Sequence, residues 1–393
     1  MNELVYPRER SLGAITLIIG VLLWLALILG TFGTALIVLA VGFVFYLFAQ
    51  SALIAHLKGN GVELSAAQFP DLHAHFVECC ERLQIRSRPQ AYVLNGNGAL
   101  NAFATQFLGA QYVVLLSDIV DAMKDHPDGL RFYLGHELGH LKQKHLIGQL
   151  FRWPALWLPL LGAAYSRARE STSDRHGAAC SDSREGAAKA LVALAAGPDR
   201  WRQIDLAAYR AQVEHSSGFW MSLHELLSGY PWTTKRAARV LYPDRKLPSR
   251  NAFSYLVALI FPYAGRLGSG FGLLVLVYFL GVVAAIGLPA YHDYKIRVAL
   301  TSALVQSKGA RESLAGFYQT KRAVPPSLEA AGIPDRLPDG SSLALDSNKM
   351  ILTVSTAKGA LIFTPAQDAQ GQITWECSAA EDLKKGQLPP ACR

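Results

Sequence analysis

Residues 134–141 read LGHELGHL and contain the pattern H-E-x-x-H. On an α-helix, His136 and His140 lie one turn apart on the same face, where two imidazoles can bind one Zn²⁺ ion. Glu137 follows the first histidine, so its carboxylate can take a proton from a metal-bound water. A chance match on a surface helix is the alternative, and the apolar flanks disfavour it because an exposed helix carries more charge. The stretch therefore predicts a catalytic zinc site.

A catalytic zinc ion needs a third protein ligand and one open position for water. Further along the chain, Glu170 and Asp174 lie one helical turn apart. We predict that Glu170 binds the metal and that Asp174 orients a metal-binding histidine. The alternative is a pair of surface acids facing neighbouring arginines, and the zinc helix upstream makes it the weaker interpretation.

These two segments together resemble a known family. The pattern H-E-x-x-H followed by S-R-x-x-E-x-x-x-D at residues 166–174 is similar to that of membrane-associated zinc metalloproteases, which include the heat-shock protease HtpX and the type I CAAX prenyl endopeptidases. The resemblance covers roughly residues 60–245. It implies a mainly α-helical zincin-type (α+β) metalloprotease domain, one Zn²⁺ per chain and a protein or peptide substrate. Membrane or misfolded proteins, as in membrane-protein quality control, are the substrates it suggests.

The substrate-binding edge is expected upstream of the zinc helix. Residues 101–105, which begin with Asn101, resemble the family's segment before its active-site edge strand. Residues 111–116 are rich in β-branched residues and predict a strand. If that strand edges the active site, an extended peptide adds to it by main-chain hydrogen bonds, next to Val113 and Val114.

A second substrate-binding segment is expected downstream. Pro231 and Arg236 match a His-Pro…Arg motif of the family, and Tyr230 stands where the family usually has the histidine. The resemblance implies that Tyr230 and Arg236 contact the substrate. Because Tyr230 replaces the histidine, a role that the family assigns to that histidine does not carry over to this chain. The predicted zinc ligands are unaffected.

Composition indicates a membrane protein. Of the 393 residues 51% are hydrophobic and 17% are charged, below the usual quarter. Residues 12–30 and about 33–55 are uncharged runs long enough to span a bilayer. Arg8 and Arg10 precede the first run and Lys58 follows the second, which places both ends of this hairpin in the cytoplasm. The net charge of +8 does not indicate nucleic-acid binding, because no recognition module is visible.

Three further apolar segments need different interpretations. Residues 146–165 connect two parts of the zinc site and are too short to cross a bilayer twice, so we predict an interfacial or re-entrant segment, with a buried connection as the alternative. Residues 252–264 are interfacial and residues 267–290 form a third span. The chain after residue 291 then lies in the periplasm, and a second crossing at 252–264 would return it to the cytoplasm.

The C-terminal part resembles a second family. Residues 281–297 are similar to the N-terminal helix of type IV pilins, and residues 371–377 with 388–393 are similar to a pilin's end. Strand-like runs between them predict a helix packed on an antiparallel sheet. Cys377 and Cys392 are a candidate disulfide, which persists in an oxidising space. The acidic residue near the start of a pilin helix is missing here, which favours a tethered domain over a polymerising subunit.

The predicted protein is a multidomain membrane protein of the cytoplasmic (inner) membrane. Its domains are a transmembrane hairpin (1–57), a cytoplasmic zinc metalloprotease (58–250), an interfacial segment with a third span (251–290) and a periplasmic pilin-like α+β domain (291–393). Its predicted function is zinc-dependent peptide hydrolysis, with membrane lipid as a partner and an envelope or pilus-related partner for the C-terminal domain. The alternatives are a non-catalytic membrane scaffold and a pilus or secretion-associated subunit.

Overall fold

The computed structural model describes residues 2–263, 265, 268–380 and 383–393. Two compact units meet between Val277 and Tyr278. The elements of the first unit are, in chain order, α1 (Pro7–Gly30), α2 (Thr34–Asn60), β1 (Val62–Glu63), α3 (Pro70–Arg82), β2 (Gln90–Leu94), β3 (Ala102–Phe107), β4 (Ala110–Leu116), α4 (Ser117–Ala122), α5 (Pro127–Lys142), α6 (Gln149–Leu156), α7 (Leu161–Cys180), α8 (Arg184–Arg200), α9 (Leu206–Ala211), α10 (Phe219–Leu227), α11 (Thr233–Leu241) and α12 (Ala252–Ala258). Helix α13 (Gly268–Gln306) contains the boundary, and α14 (Lys308–Lys321), β5 (Ser342–Asp346), β6 (Ile351–Thr356), β7 (Gly359–Gln367) and β8 (Ile373–Ala379) follow.

Three helices of the described chain are long and apolar enough to cross a membrane, and they agree with the three predicted spans. They are α1, α2 and an apolar helical stretch that starts at Gly272. The turn between α1 and α2 is closed by Gly33 at φ 82°, a conformation that glycine adopts without strain. Helix α12 has seven residues, too few to span a bilayer. Helix α13 continues past residue 290, where the sequence placed the end of the membrane segment.

The first unit contains a mixed four-stranded sheet with the order β1-β2-β4-β3. Strand β4 pairs in parallel with β2 and antiparallel with β3, so its main-chain groups are used on both sides. The prediction that residues 111–116 edge the active site is therefore wrong. Strand β3 is the edge strand on that side of the sheet.

Both faces of this sheet are covered, which explains why β4 is an unbroken apolar run from Tyr112 to Leu116. Val113 packs into the main core with Leu134 and Leu138 of α5. Val114 points to the other face and packs against Ile54 of α2. Helix α2 therefore continues from the apolar hairpin directly onto the sheet.

Helix α6 lies in the segment predicted to be interfacial or re-entrant, and it packs against α1. The indole of Trp24 donates a hydrogen bond of 2.8 Å to the carbonyl of Leu150, and a Cβ on Gly20 would lie 2.2 Å from the carbonyl oxygen of Phe151. Gly20 is more than half way along α1, about 20 Å from its start at 1.5 Å per residue. Leu150, Phe151 and Trp153 are more than half exposed. Helix α6 therefore packs along α1 and keeps these large apolar side chains exposed.

The second unit packs helix against sheet. Strands β5 to β8 form an antiparallel sheet in sequential order. Leu300 of α13 and Leu314 of α14 are fully buried in one core with Leu352 and Phe363 of the sheet. A disulfide joins Cys377 and Cys392, as the sequence predicted. The α+β arrangement agrees with the predicted one.

Candidate metal centre

Close contact between α5 and α7 brings the predicted ligands together. Gly135 and Gly139 flank the first and second histidines of the motif on α5. A Cβ on Gly135 would lie 2.6 Å from Sγ of Cys180, and one on Gly139 would lie 2.9 Å from Cβ of His176. Because both contacts are too short for a side chain, glycine at these positions allows the helices to approach.

Three buried side chains form a set that can hold a metal ion. The donor atoms of His136, His140 and Glu170 all lie within 4.8 Å of one another. The Nε2 atoms of His136 and His140 lie 3.4 Å and 3.8 Å from the carboxylate oxygens of Glu170. Two ligands at ordinary zinc distances in a tetrahedral site are about 3.3 Å apart. Two imidazoles and one carboxylate are a donor set of catalytic zinc sites, so these residues fit such an ion.

Asp174 lies where the sequence predicted it. Its Oδ1 is 3.1 Å from Nδ1 of His136, so the other ring nitrogen, Nε2, faces the metal position. Arg236 donates two hydrogen bonds to Asp174, at 2.9 Å and 2.7 Å. The guanidinium therefore holds the carboxylate that holds the histidine. Arg236 was predicted to bind substrate, and this contact shows that it also positions Asp174.

His140 is oriented by residues that sequence analysis missed. Its Nδ1 lies 2.9 Å from Nδ1 of His145, and Nε2 of His145 lies 2.9 Å from Oε1 of Glu9 in α1. If Glu9 is ionised and accepts from His145, Nδ1 of His145 accepts the proton of His140. Nε2 of His140 then keeps a lone pair for the metal. A membrane helix is thus connected to the metal centre through two histidines.

The centre is strongly charged although it is buried. Burial disfavours the charged imidazole of His136, but the carboxylates of Asp174 and Glu170, 3.1 Å and 3.4 Å away, outweigh this and raise its pKa to about 9. Burial also disfavours the carboxylate of Glu170, yet His140, His136 and Arg236 lower its pKa. Burial lowers the pKa of His140. In the absence of metal the first histidine holds a proton that a metal ion displaces.

A cavity of about 230 Å³ opens onto this centre. Glu137 and both histidines of α5 form one wall, and β3 forms another through Phe103, Ala104 and the preceding Asn101. Tyr230 and Arg236 complete the cavity, with the guanidinium 5.9 Å from the Tyr230 ring. Three of the predicted substrate-binding residues therefore line the cavity. Val113 and Val114 do not, because both are fully buried in the central strand β4.

The chain is similar to known proteins of two kinds, a peptidase family and pilins. Residues 66–161 match the model of peptidase family M48. The match contains the H-E-x-x-H helix and implies a metallopeptidase, while Glu170 lies beyond its end. Two curated relatives match the chain, each over 31% of its length. The fimbrial protein EcpC of Eikenella corrodens is 28% identical over 86% of its own length, and the type IV major pilin protein PilE1 of Neisseria gonorrhoeae is 23% identical over 89%.

Proposed function

We propose that the protein is a membrane-bound, zinc-dependent endopeptidase. The observation that carries this proposal is the convergence of the donor atoms of His136, His140 and Glu170. Both histidines line one cavity together with Glu137. When bound, zinc supplies a Lewis acid that polarises the scissile carbonyl and acidifies water. A purely structural zinc site has four protein ligands and needs no neighbouring base, which favours a catalytic role.

Glu137 is the proposed general base. Its side chain lies in the cavity wall, one residue after His136, and it is nine-tenths buried. It accepts the proton of the attacking water and then passes it to the nitrogen of the leaving amine. Asp174 and Arg236 keep the ring of His136 in position during both transfers, and His145 does the same for His140.

We further propose that the substrate binds as an extended peptide along β3. This strand is the sheet edge beside the cavity, and its residues Phe103 and Ala104 line that cavity. A peptide added to the edge would receive main-chain hydrogen bonds and present its scissile bond to Glu137. Two sets of peptides, N-methylated at the odd or at the even backbone amides, test this proposal. The set whose methylated amides face β3 should lose affinity, because those amides can no longer donate to the strand. Equal affinity for both sets would contradict strand addition.

The distribution of cysteines supports the predicted topology. Cys79, Cys80 and Cys180 of the first unit are buried free thiols, and Sγ of Cys79 donates to the carbonyl oxygen of Arg131 at 3.7 Å. The second unit has its disulfide. Thiols kept reduced in one unit and a disulfide in the other fit a cytoplasmic peptidase and a periplasmic pilin-like domain. Reporter fusions after residue 250 and at residue 393 should report opposite sides of the inner membrane.

The decisive experiment compares Glu137→Gln with the wild type in detergent. Both proteins should bind about one zinc ion, because the ligands are unchanged. Hydrolysis of casein and of the chain itself should fall about 10²- to 10⁴-fold in the variant, the usual contribution of a general base. Glu63→Gln, the same change on an exposed strand, is the control and should retain full activity.

Two outcomes would contradict the proposal. Equal cleavage by the wild type and Glu137→Gln would remove Glu137 as the base. Stoichiometric zinc in the wild type, with no cleavage across a library of extended peptides, would favour the scaffold alternative.

A further inference from the structure

A second cavity lies in the first unit and does not share residues with the metal centre. Its volume is about 370 Å³, within the range of small-molecule sites. It is lined by arginines from four parts of the chain: Arg8 of α1, Arg167 of α7, Arg239 of α11 and Arg250. Among the residues that the structure describes, no aspartate or glutamate lines it. An arginine-lined cavity of this kind attracts an anion.

The arginines of this cavity have little countercharge. Arg250 donates to the carboxylate of Glu225 at 2.9 Å, but Lys235 contacts the same carboxylate at 2.6 Å. Arg8, Arg167 and Arg239 form no ion pair within the described residues. Glu225 is therefore one carboxylate beside several cations.

Arg167 is buried in this region of excess positive charge and is held there by backbone carbonyl groups. Only 7% of its surface is exposed, and its guanidinium donates to the backbone carbonyls of Glu225, Leu226 and Ser228 at 2.7–2.9 Å. Carbonyl dipoles hold the group in place but do not neutralise its charge. Burial, together with the nearby Arg250, lowers the pKa of Arg167 to about 10. An anion in the cavity would stabilise the charged form.

The guanidinium of Arg239 is also held in place by its neighbours. Arg239 donates to Oγ of Ser171 at 3.2 Å and lies 5.8 Å from the ring of Tyr6. The amide of Tyr6 in turn donates to Thr172 at 2.9 Å. These contacts attach the start of α1 to α7 and hold Arg239 in the wall of the cavity that Arg8 also lines. Guanidinium groups held in this way match the oxygens of a phosphate, to which arginine donates pairs of hydrogen bonds.

We propose that this cavity is a binding site for a phosphate group, supplied by the headgroup of an anionic phospholipid or by a free phosphate. Its place in the chain favours the lipid. Arg8 lies in the first turn of α1, just before the apolar run that starts at Leu12, where basic residues meet the headgroups of a bilayer. The cavity therefore opens at the level where lipid phosphates are concentrated.

The occupant would touch the elements that carry the metal centre without entering it. Ser171 lies on α7 directly after Glu170, and Pro231 of the cavity directly follows Tyr230. Anion binding is therefore measurable without any peptidase activity, and it does not depend on the proposed function.

The test uses the full chain in a neutral detergent and follows its thermal unfolding midpoint. It is titrated with short-chain phosphatidylglycerol, with short-chain phosphatidylcholine and with inorganic phosphate, at constant ionic strength. A ligand that binds the folded state raises the midpoint with its concentration. We expect phosphatidylglycerol to stabilise the wild type at concentrations where phosphatidylcholine does not. Stabilisation by phosphatidylglycerol alone identifies a lipid site, and stabilisation by phosphate alone identifies a soluble anion; both outcomes support the proposal.

The variants decide whether the cavity is responsible. Arg8→Gln and Arg239→Gln should each weaken the response about tenfold or more, the effect of losing one charged hydrogen-bonding group. Arg10→Gln removes the same charge from the same helix outside the cavity and should leave the response unchanged. Arg8 is exposed, so its variant keeps the fold. The proposal is overturned if neither ligand stabilises the wild type, or if Arg10→Gln weakens the response as much as Arg8→Gln.

Discussion

The two units of this chain bury different kinds of side chain. The first buries a connected set of ionisable groups in the metal centre, including Glu137, Glu170, Asp174 and Arg236. The described core of the second is aliphatic and aromatic, with buried polar side chains such as Ser307 and Gln387 that carry no charge. Burying charge is unfavourable unless it is paired or binds a ligand. We therefore expect the buried charges of the first unit to lower its free energy of unfolding, a cost that the uncharged core of the second unit does not have.

The largest difference between the units should appear when a metal ligand is removed. Glu170→Ala deletes the carboxylate that both histidines face, and the first unit should lose metal affinity more than about 100-fold, beyond the usual effect of an outer contact. Glu376→Ala, the same change on an exposed strand of the second unit, should leave the affinity unchanged. Chelator competition measures both. Equal affinities for Glu170→Ala and the wild type would remove Glu170 from the ligand set.

Removal of the disulfide should affect the stability of the second unit alone. Cys377 and Cys392 are 15 residues apart, and a disulfide that closes such a loop stabilises by about 3 kcal/mol. The double alanine variant should therefore unfold its C-terminal unit at lower urea, as measured by limited proteolysis of that unit. Zinc affinity should not change. A parallel loss of zinc would show that the two units are not independent.

Glycine-to-alanine substitutions should change the stabilities of the two units in opposite directions. Gly139→Ala in α5 meets Cβ of His176 at 2.9 Å and Cα of Ser173 at 3.3 Å, and should destabilise the first unit by about 2 kcal/mol. Gly316→Ala in α14 meets nothing within 4 Å and should stabilise the second unit by about 0.5–1 kcal/mol, because alanine is the better helix former. Denaturant unfolding of each unit gives both values. Effects of the same sign would contradict the helix-contact explanation.

Sequence was sufficient wherever a feature depends on local geometry. His136, His140, Glu170 and Asp174, which the structure brings together, could be proposed as a candidate site because residues one helical turn apart can be recognised by spacing. Strand β4 was assigned correctly as a strand but wrongly as an edge, because edge position depends on which strands pair with it. Its continuous apolar run was the signal for a strand covered on both faces.

The outer contact of His140 could not be found from spacing. Glu9 and His145 are 136 residues apart, and their contact exists only because α1 packs beside the metal helices. A histidine five residues after His140 was the one local signal. The arginine-lined cavity was missed for the same reason, since its four arginines come from distant segments.

The smallest predicted effect tests the contact between the membrane helix and the metal. Glu9→Ala removes the acceptor for His145, so His145 no longer favours the tautomer of His140 that leaves Nε2 free. Zinc affinity should fall about tenfold, the lower end for an outer-contact residue. Glu9→Gln keeps an acceptor oxygen and should recover most of this loss. Glu3→Ala, on the exposed start of the chain, is the control and should have no effect. Recovery by glutamine would distinguish orientation of His140 from a general loss of packing, because a packing defect at Glu9 has no reason to depend on a hydrogen-bond acceptor.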